Sequence, residues 1–393
     1  MATIKEIIES QANAANINTS ALDLYKIVNA AVKEGGPIAL YDSAGVMPID
    51  SDYVGSVLSN SVGELYLLDS IGGSWGLLTG APIIPVEVFS YQGSNYGYTL
   101  GGYNPTFTTG GVGTEIDKFP FAADVNSTNV GSLLKGTYKT ASAHSGDYGY
   151  TIGGSIYPYD PVTGVNTEVI SKFPFALDGN AISITATTLG GALVNGSGAT
   201  SGTYGYAQGG VSGLLTNTIQ KFPFAAEDAT SDVGDLTVSR ESMAGQSSTT
   251  HGYGSGGSTP AYSNVIDKFS FASDGNATSV GTITVARTGV SSGTSSATHG
   301  YTAGGQNGGA PFSNVIDKFS FASDGNATDV GDLPYNPRFN VGQSSTTDGY
   351  SSGGNAPGPV ATTAKYSFAS DGNGTLNSGV LTVDRYWGAG VQY

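Results

Sequence analysis

The chain has 393 residues, no cysteine, and 15 basic against 31 acidic side chains, which gives a formal net charge of −16. This balance argues against nucleic acid or an anionic lipid surface as the main partner, because both need clustered Lys and Arg. The lack of cysteine excludes disulfides, thiolate metal sites and a cysteine nucleophile, while 60 Gly, 16 Pro and 38% apolar residues favour short strands joined by tight turns.

Residues 1–80 contain no repeat, and we interpret them as a small α+β anchor module. The Ser-x-x-acid spacing that begins at Ser20 is typical of a helix start. We predict that this helix and a second one over residues 4–15 form a short helix hairpin. Residues 38–41 and 63–75 predict small β-hairpins. We find no apolar run of membrane-spanning length and no leader pattern, so we expect no membrane insertion.

Two markers recur six times from about residue 83 to the C-terminus. The first is a double glycine at intervals of roughly 50 residues, and its members are Gly101-Gly102, Gly153-Gly154, Gly209-Gly210, Gly256-Gly257, Gly304-Gly305 and Gly353-Gly354. The second is a strand of the form Ile-x-Lys-Phe-x-Phe-Ala, with its lysines at Lys118, Lys172, Lys221, Lys268, Lys318 and Lys365. Residues 263–278 and 313–328 are identical, which indicates internal duplication. Four strand-sized segments per unit predict an all-β, six-bladed β-propeller over residues 83–393.

The units resemble the kelch repeat. As in that family, the double glycine closes the second strand, an aromatic third strand follows, and an arginine comes after the fourth strand. The resemblance implies a kelch-like propeller. An isolated strand pattern at residues 86–91 and a last one after Trp387 predict that one blade is shared between the two ends of the propeller.

Charged residues also recur in the repeats. An acidic residue follows each repeated lysine six positions later, and we expect it to form an ion pair with that lysine within the same blade. The Ser-Asp-Gly-Asn turns, such as the one at Ser273, are typical of tight turns, with calcium binding as the alternative.

Candidate ligand-binding residues lie on one face. In an up-and-down meander, the loops from second to third strand emerge on the same face as the links between blades. In the first two units these loops are longer and carry Tyr103, Phe107, Tyr157, Tyr159 and Asp160, which suit stacking on sugars. Four arginines follow the fourth strands at matching positions and should approach this face near the channel, or else support the blades: Arg240, Arg287, Arg338 and Arg385. Trp387, near the closure point, is a further candidate ligand contact or packing residue.

Signatures of enzymes are sparse. The histidines are His144, His251 and His299, and the last two share one repeat position, which suits a strand residue better than a catalytic base. We expect no catalytic residue, no metal and no cofactor. The alternative is a carbohydrate-active hydrolase with paired carboxylates, for which Asp160 and Asp384 are the first candidates.

The repeated segment Asn-Val-Ile-Asp-Lys-Phe-Ser-Phe-Ala-Ser-Asp-Gly-Asn-Ala-Thr resembles repeats of virion and tail-fibre-like proteins of marine bacteriophages. This resemblance implies a fibre, spike or decoration protein, located in the virion and assembled in the host cytoplasm. Residues 1–80 would bind other virion proteins, and the propeller would bind a host-surface glycan or protein. A homotrimer is expected by analogy with fibres, and a purely architectural role remains open.

Overall fold

The structure is a computed structural model that describes residues 90–107, 110–156, 166–226, 229–290 and 292–393, together with four short strands that precede them. The chain divides into two compact units, Met1–Val88 and Phe89–Tyr393. The helices predicted in the first unit lie outside the described residues. Within the described part of the chain, no helix is long and apolar enough to cross a membrane.

The four short strands form one sheet in the first unit. They are β1 (Ile38–Leu40), β2 (Val57–Ser59), β3 (Leu65–Leu68) and β4 (Trp75–Leu77). The sheet has the order β1-β2-β3-β4. Strands β3 and β4 pair antiparallel where the sequence predicts a hairpin, whereas β1 pairs in parallel with β2.

The second unit is a six-bladed β-propeller, as predicted, and each blade is a four-stranded antiparallel sheet. Its first three blades contain these strands in chain order: β5 (Tyr96–Leu100), β6 (Glu115–Pro120), β7 (Thr128–Ser132), β8 (Thr137–Tyr138), β9 (Ala141–His144), β10 (Tyr148–Ile152), β11 (Ser155–Ile156), β12 (Val169–Pro174), β13 (Ile182–Thr188), β14 (Ser197–Thr200), β15 (Tyr204–Gln208), β16 (Val211–Ser212), β17 (Leu214–Leu215), β18 (Thr218–Pro223) and β19 (Ser231–Asp235). Strands β8 and β11 form a separate small pair, as do β16 and β17.

The last three blades follow the same plan, with β22 and β23 as another separate pair. Their strands are β20 (Ala244–Ser247), β21 (His251–Ser255), β22 (Ser258–Thr259), β23 (Ala261–Tyr262), β24 (Val265–Ser270), β25 (Thr278–Thr282), β26 (Ser292–Ser295), β27 (His299–Ala303), β28 (Val315–Ser320), β29 (Thr328–Asp332), β30 (Val341–Ser344), β31 (Asp348–Ser352), β32 (Thr362–Ser367), β33 (Thr375–Val380) and β34 (Ala389–Gln392).

The two ends of the propeller share the first blade. Strand β34 from the C-terminus forms its innermost strand and pairs antiparallel with β5, with Ala389 opposite Leu100 and Gln392 opposite Gly97. This confirms the predicted closure, which leaves no open gap between the last blade and the first. The described end of the predicted 86–91 strand, Ser90 and Tyr91, is not in a strand.

Aromatic contacts join each blade to the next. A buried tyrosine on the second strand of one blade contacts two aromatic rings of the following blade, one on its third strand and one directly after it. The ring centroids of Tyr98 and Phe175 are 5.1 Å apart, and those of Tyr350 in the sixth blade and Phe121 in the first are 5.0 Å apart. The repeated Phe-x-Phe pattern is therefore the packing surface between blades.

Glycine allows the six innermost strands to approach the propeller axis. The second residue of these strands is Gly in five blades and Ser142 in the second blade. A Cβ atom at Gly245 would overlap the backbone carbonyl of Gly198 in the preceding blade, and the other inner glycines meet the same obstacle. The inner strands thus pack backbone against backbone around a narrow channel.

Candidate functional site

Three of the four predicted arginines are buried between blades. The side chains of Arg240, Arg287 and Arg385 are at most 1% exposed. Each forms an ion pair with a buried aspartate on the third strand of the following blade, at 2.8–3.0 Å: Arg240 with Asp267, Arg287 with Asp317, and Arg385 with Asp117. Burial lowers the pKa of these guanidinium groups, and the neighbouring aspartates raise it in opposition. Buried side chains cannot contact a ligand at the surface, so these three arginines support the blades.

Arg338 lies one residue out of register with the other three. The second glycine of each double glycine donates a backbone hydrogen bond to the carbonyl of the residue at the arginine position, as Gly257 does to Arg287. In the fifth blade, the corresponding donor Gly305 binds Pro337. Arg338 is therefore not equivalent to the buried arginines, which corrects the predicted match, and its half-buried side chain reaches the surface.

Six residues with positive φ form a closed ring at one end of the channel. One lies two or three residues before each inner strand: Lys139, Asn195, Ser242, Gly289, Phe339 and Trp387, with φ between 53° and 65°. Each backbone N–H donates to the carbonyl of the preceding member, from Asn195 to Lys139 (2.9 Å) round to Lys139 and Trp387 (2.9 Å). We call this ring the mouth ring, and the surface around it the mouth face. The backbone hydrogen bonds of the mouth ring are the same in all six blades, whereas the side chain at the ring position differs from blade to blade.

Half of the mouth ring carries an aromatic cluster. We call it the mouth cluster, and its members are Tyr103, Tyr138, Phe339, Tyr386 and Trp387, all half-buried. The Trp387 ring lies 4.5 Å from Phe339, 4.7 Å from Tyr386 and 5.9 Å from Tyr138, measured between centroids. Partly exposed aromatic rings held in a group provide flat apolar surface for a ligand.

Tyr103 completes the mouth cluster from the long loop of the first blade. Its backbone forms two hydrogen bonds with Tyr386, at 2.7 and 3.1 Å, which fix the loop against the closure segment. Its ring lies 5.5 Å from those of both Tyr138 and Tyr386. The close approach of this ring to the backbone of Gly111 leaves no room for a side chain there. The predicted residues Tyr103 and Trp387 are thus brought together.

Two cations border the mouth cluster. The Nζ atom of Lys139 lies 4.5 Å from the centroid of the Trp387 ring and 5.5 Å from that of Tyr138. Burial lowers the pKa of Lys139, and the negative charge of Glu241 opposes this effect. On the other side, the Arg338 guanidinium carbon lies 5.2 Å from the Phe339 ring. These contacts are within the range of cation–π interactions.

The other half of the mouth ring is polar. Asn195 and Ser242 occupy two ring positions, and Gly289 the third. The Asn195 side-chain amide donates to the Glu241 carboxylate at 2.6 Å. The mouth face therefore offers an apolar platform beside hydrogen-bonding groups, an arrangement that suits a ligand with both an apolar surface and hydroxyl groups.

The channel itself is narrow and covered at its far end. Its cavity is about 100 Å³, below the roughly 300 Å³ of ordinary ligand pockets. At the end opposite the mouth face, buried Tyr91 donates from its hydroxyl to the Ser296 carbonyl (3.1 Å), and Gln392 donates to the Tyr91 carbonyl (2.6 Å). A ligand of sugar size would therefore bind at the mouth and not inside the channel.

The face opposite the mouth carries the repeated Asp-Gly turns and ion pairs between blades. Each repeated lysine with a described partner pairs with the aspartate of the following blade, as Lys268 does with Asp324 and Lys365 with Asp124 across the closure. The predicted pairs within one blade are wrong, because the lysine side chain projects from the blade surface toward the next blade. The asparagines of these turns have a similar role, since Asn326 accepts a hydrogen bond from the Thr282 backbone at 3.1 Å.

The structure describes only some of the remaining predicted site residues. Tyr157, Tyr159 and Asp160 lie outside the described residues. Phe107 is half-buried and packs over Gly113 in the long loop of the first blade. Asp384 is exposed, and its carbonyl accepts a hydrogen bond from the Asn104 side chain at 2.7 Å. Among the described residues, no group of three or more His, Asp or Glu side chains is arranged to hold a metal ion.

Sequence reasoning missed seven residues of the site, namely Tyr138, Lys139, Asn195, Glu241, Ser242, Phe339 and Tyr386. The sequence signal is weak, because the mouth-ring position differs in every blade but the residues on either side of it vary almost as much.

No model of a known protein family matches the chain, and no curated protein matches it significantly. The fold and the site define the class of protein on their own. The chain contains a six-bladed β-propeller closed by its C-terminal strand, with an aromatic cluster around one end of its channel.

Proposed function

We propose that this chain is a non-enzymatic binding protein of a bacteriophage virion, such as a fibre, spike or decoration protein, whose propeller binds a host-surface glycan through the mouth cluster. The observation that carries the binding role is the group of half-buried aromatic rings around Trp387. Sugars present C–H faces that pack on aromatic rings, while their hydroxyl groups need hydrogen-bond partners, which Asn195, Glu241 and Ser242 provide.

The first described residues of the propeller lie away from the mouth face. Ser90, Tyr91 and Gln92 cover the channel at the end opposite the mouth ring, where the Gln92 side chain donates to the Ser345 carbonyl at 2.8 Å. These three residues therefore lie on the turn side of the propeller and do not cover the mouth face. In the proposed protein, residues 1–80 contact other virion proteins and the mouth face binds the glycan. The virion assignment rests on the resemblance of the repeats to phage proteins.

The test is to apply the purified full-length protein to immobilised bacterial surface polysaccharides and to measure both bound protein and released reducing ends. Retention without cleavage supports the proposal. Cleavage would instead indicate a carbohydrate-active hydrolase. If the protein is neither retained nor cleaves the polysaccharide, a purely architectural role is indicated.

Variants test whether the mouth cluster is the binding site. Trp387→Asn should abolish retention, and it is compatible with the fold because Asn195 occupies the same ring position with φ of 56°. The matched control is Leu214→Asn, which removes a side chain that is 82% exposed but lies outside the mouth cluster. We also expect Tyr157→Ala combined with Tyr159→Ala to abolish retention; unchanged retention would exclude the second long loop from the site.

A further inference from the structure

Most cations of the described propeller already have a carboxylate partner. The ion-paired side chains are Lys118, Lys221, Lys268, Lys318, Lys365, Arg240, Arg287 and Arg385. Three further described cations, Lys135, Lys139 and Arg338, form no ion pair with a described carboxylate, and two of them, Lys139 and Arg338, contact rings of the mouth cluster. Two cations that remain available for a partner therefore lie where the proposed ligand binds.

These two cations are held in place by aromatic contacts. Lys139 Nζ lies over Trp387 at 4.5 Å, and Trp387 in turn lies 4.5 Å from Phe339. Arg338 contacts Phe339 at 5.2 Å and Phe312 at 4.5 Å, and it donates to the Gln306 side-chain oxygen at 2.6 Å. A continuous row of contacts therefore runs from one cation across two aromatic rings to the other.

Electrostatics favours an anion in this row. A chain with a formal charge of −16 repels anionic ligands at long range, so a negatively charged ligand needs local unpaired cations to bind. The ammonium group of Lys139 is half-buried, and this burial lowers its pKa; the charge of Glu241 opposes the shift, but Glu241 forms no ion pair with Lys139. A carboxylate or sulfate group would compensate for this loss of hydration by a charge-assisted hydrogen bond.

We infer that the ligand of the mouth cluster is a negatively charged glycan, whose sugar ring packs on Trp387 and whose acidic group pairs with Lys139, while Arg338 takes a second acidic group. This inference rests on the proposed binding function of the mouth cluster. Carboxylates of sugar acids and sulfate esters share the required chemistry.

The experiment compares charged glycans with their neutralised forms. Polygalacturonate, alginate and polysialate serve as carboxylated probes and carrageenan as the sulfated probe, each beside its carboxyl-reduced or desulfated product. We expect the full-length protein to bind a charged probe and to lose at least about tenfold in affinity for the neutral form, the size expected for one charge-assisted hydrogen bond. Binding should also weaken as salt is raised.

Lys135 and Lys139 lie in the same segment between the first and second blades, and their variants provide matched charge controls. Lys139→Asn copies Asn195 of the next blade and should weaken binding of the charged probe about tenfold or more, whereas Lys139→Arg should retain it. Lys135→Asn removes the same charge from an exposed lysine that contacts no aromatic ring and should leave binding unchanged.

The outcomes separate the inference from the function on which it rests. Equal binding of charged and neutralised glycans, unaffected by Lys139→Asn, would overturn the anionic ligand and leave the glycan-binding proposal standing. Failure to bind any of these probes or any surface polysaccharide would overturn both. Selective loss on carboxyl reduction or on desulfation identifies which acidic group is recognised.

Discussion

Arg240 at the end of the third blade forms a buried ion pair with Asp267 in the fourth blade, with the two charged atoms 3.0 Å apart and both side chains inaccessible to solvent. The guanidinium also donates to the carbonyls of Gly254 and Val265, and Thr237 donates to the carboxylate through its hydroxyl and its backbone N–H. The pair therefore fixes the position of one blade against the next.

Removal of one partner should be strongly destabilising. Arg240→Leu leaves Asp267 buried without its counter-charge, and we expect the free energy of unfolding to fall by about 3–5 kcal/mol. The double variant Arg240→Leu with Asp267→Gln copies Leu193 and Gln220 at the preceding interface and should recover most of the loss. Denaturant titrations of the three proteins provide the measurement. A double variant less stable than the single one would contradict this interpretation.

The ion pairs on the turn side should contribute far less. Lys268 and Asp324 are 21% and 56% exposed, and exposed pairs contribute about 1 kcal/mol or less because water and salt screen them. Lys268→Gln should therefore shift the denaturation midpoint only slightly, and raised salt should reduce even this difference. A loss as large as that of Arg240→Leu would show that these pairs hold the blades together.

The inner ring of glycines should tolerate no side chain. Gly245→Ala places a methyl group on the backbone of Gly198 in the adjacent blade, so the two inner strands must separate. We expect a large loss of stability or failure to fold, measured by thermal unfolding. Gly146→Ala is the control, because no atom lies within 4 Å of its added Cβ. Similar behaviour of both variants would refute the proposed backbone packing at the axis.

His144 should make the stability depend on pH. It lies at the covered end of the channel, and burial lowers its pKa to about 4, with a hydrogen bond to the Ser90 backbone opposing the shift. The unfolded chain binds a proton at this histidine near pH 6.5, whereas the folded chain does so only near pH 4. The free energy of unfolding should therefore fall by on the order of 3 kcal/mol as the pH is lowered from about 6.5 to 4.

His144→Gln isolates this effect from the titration of carboxylates. Gln392 occupies the equivalent position in the first blade, so the substitution suits the site. Between pH 7, 5.5 and 4 the denaturant midpoint of the wild-type protein should fall further than that of the variant, because the wild-type protein alone carries the histidine penalty. Parallel pH dependence of both proteins would exclude this role.

Much of the fold was predictable because the repeat is explicit in the chain. The six double glycines and the six lysine strands predicted six blades, and the strand after Trp387 predicted closure in a shared blade, which β34 confirms. The candidate site was predicted only in part. Tyr103 and Trp387 meet in the mouth cluster, whereas three of the arginines are buried beside aspartates. The sequence did contain a signal for these buried ion pairs. Aspartate occurs at this position of the third strand, as Asp117, Asp267 and Asp317, only where the preceding blade ends in one of the three buried arginines.

The sequence by itself determined the number of blades, their internal order and the sharing of one blade between the chain ends, because strand period and turn chemistry are local properties that repeat along the chain. Only the tertiary structure decided which side chains meet across blades. Lys268 pairs with Asp324 of the next blade, and Arg338 is displaced by one residue from the buried arginines. These relationships depend on the direction in which each blade surface faces its neighbour, which is a property of ring closure and not of any single repeat.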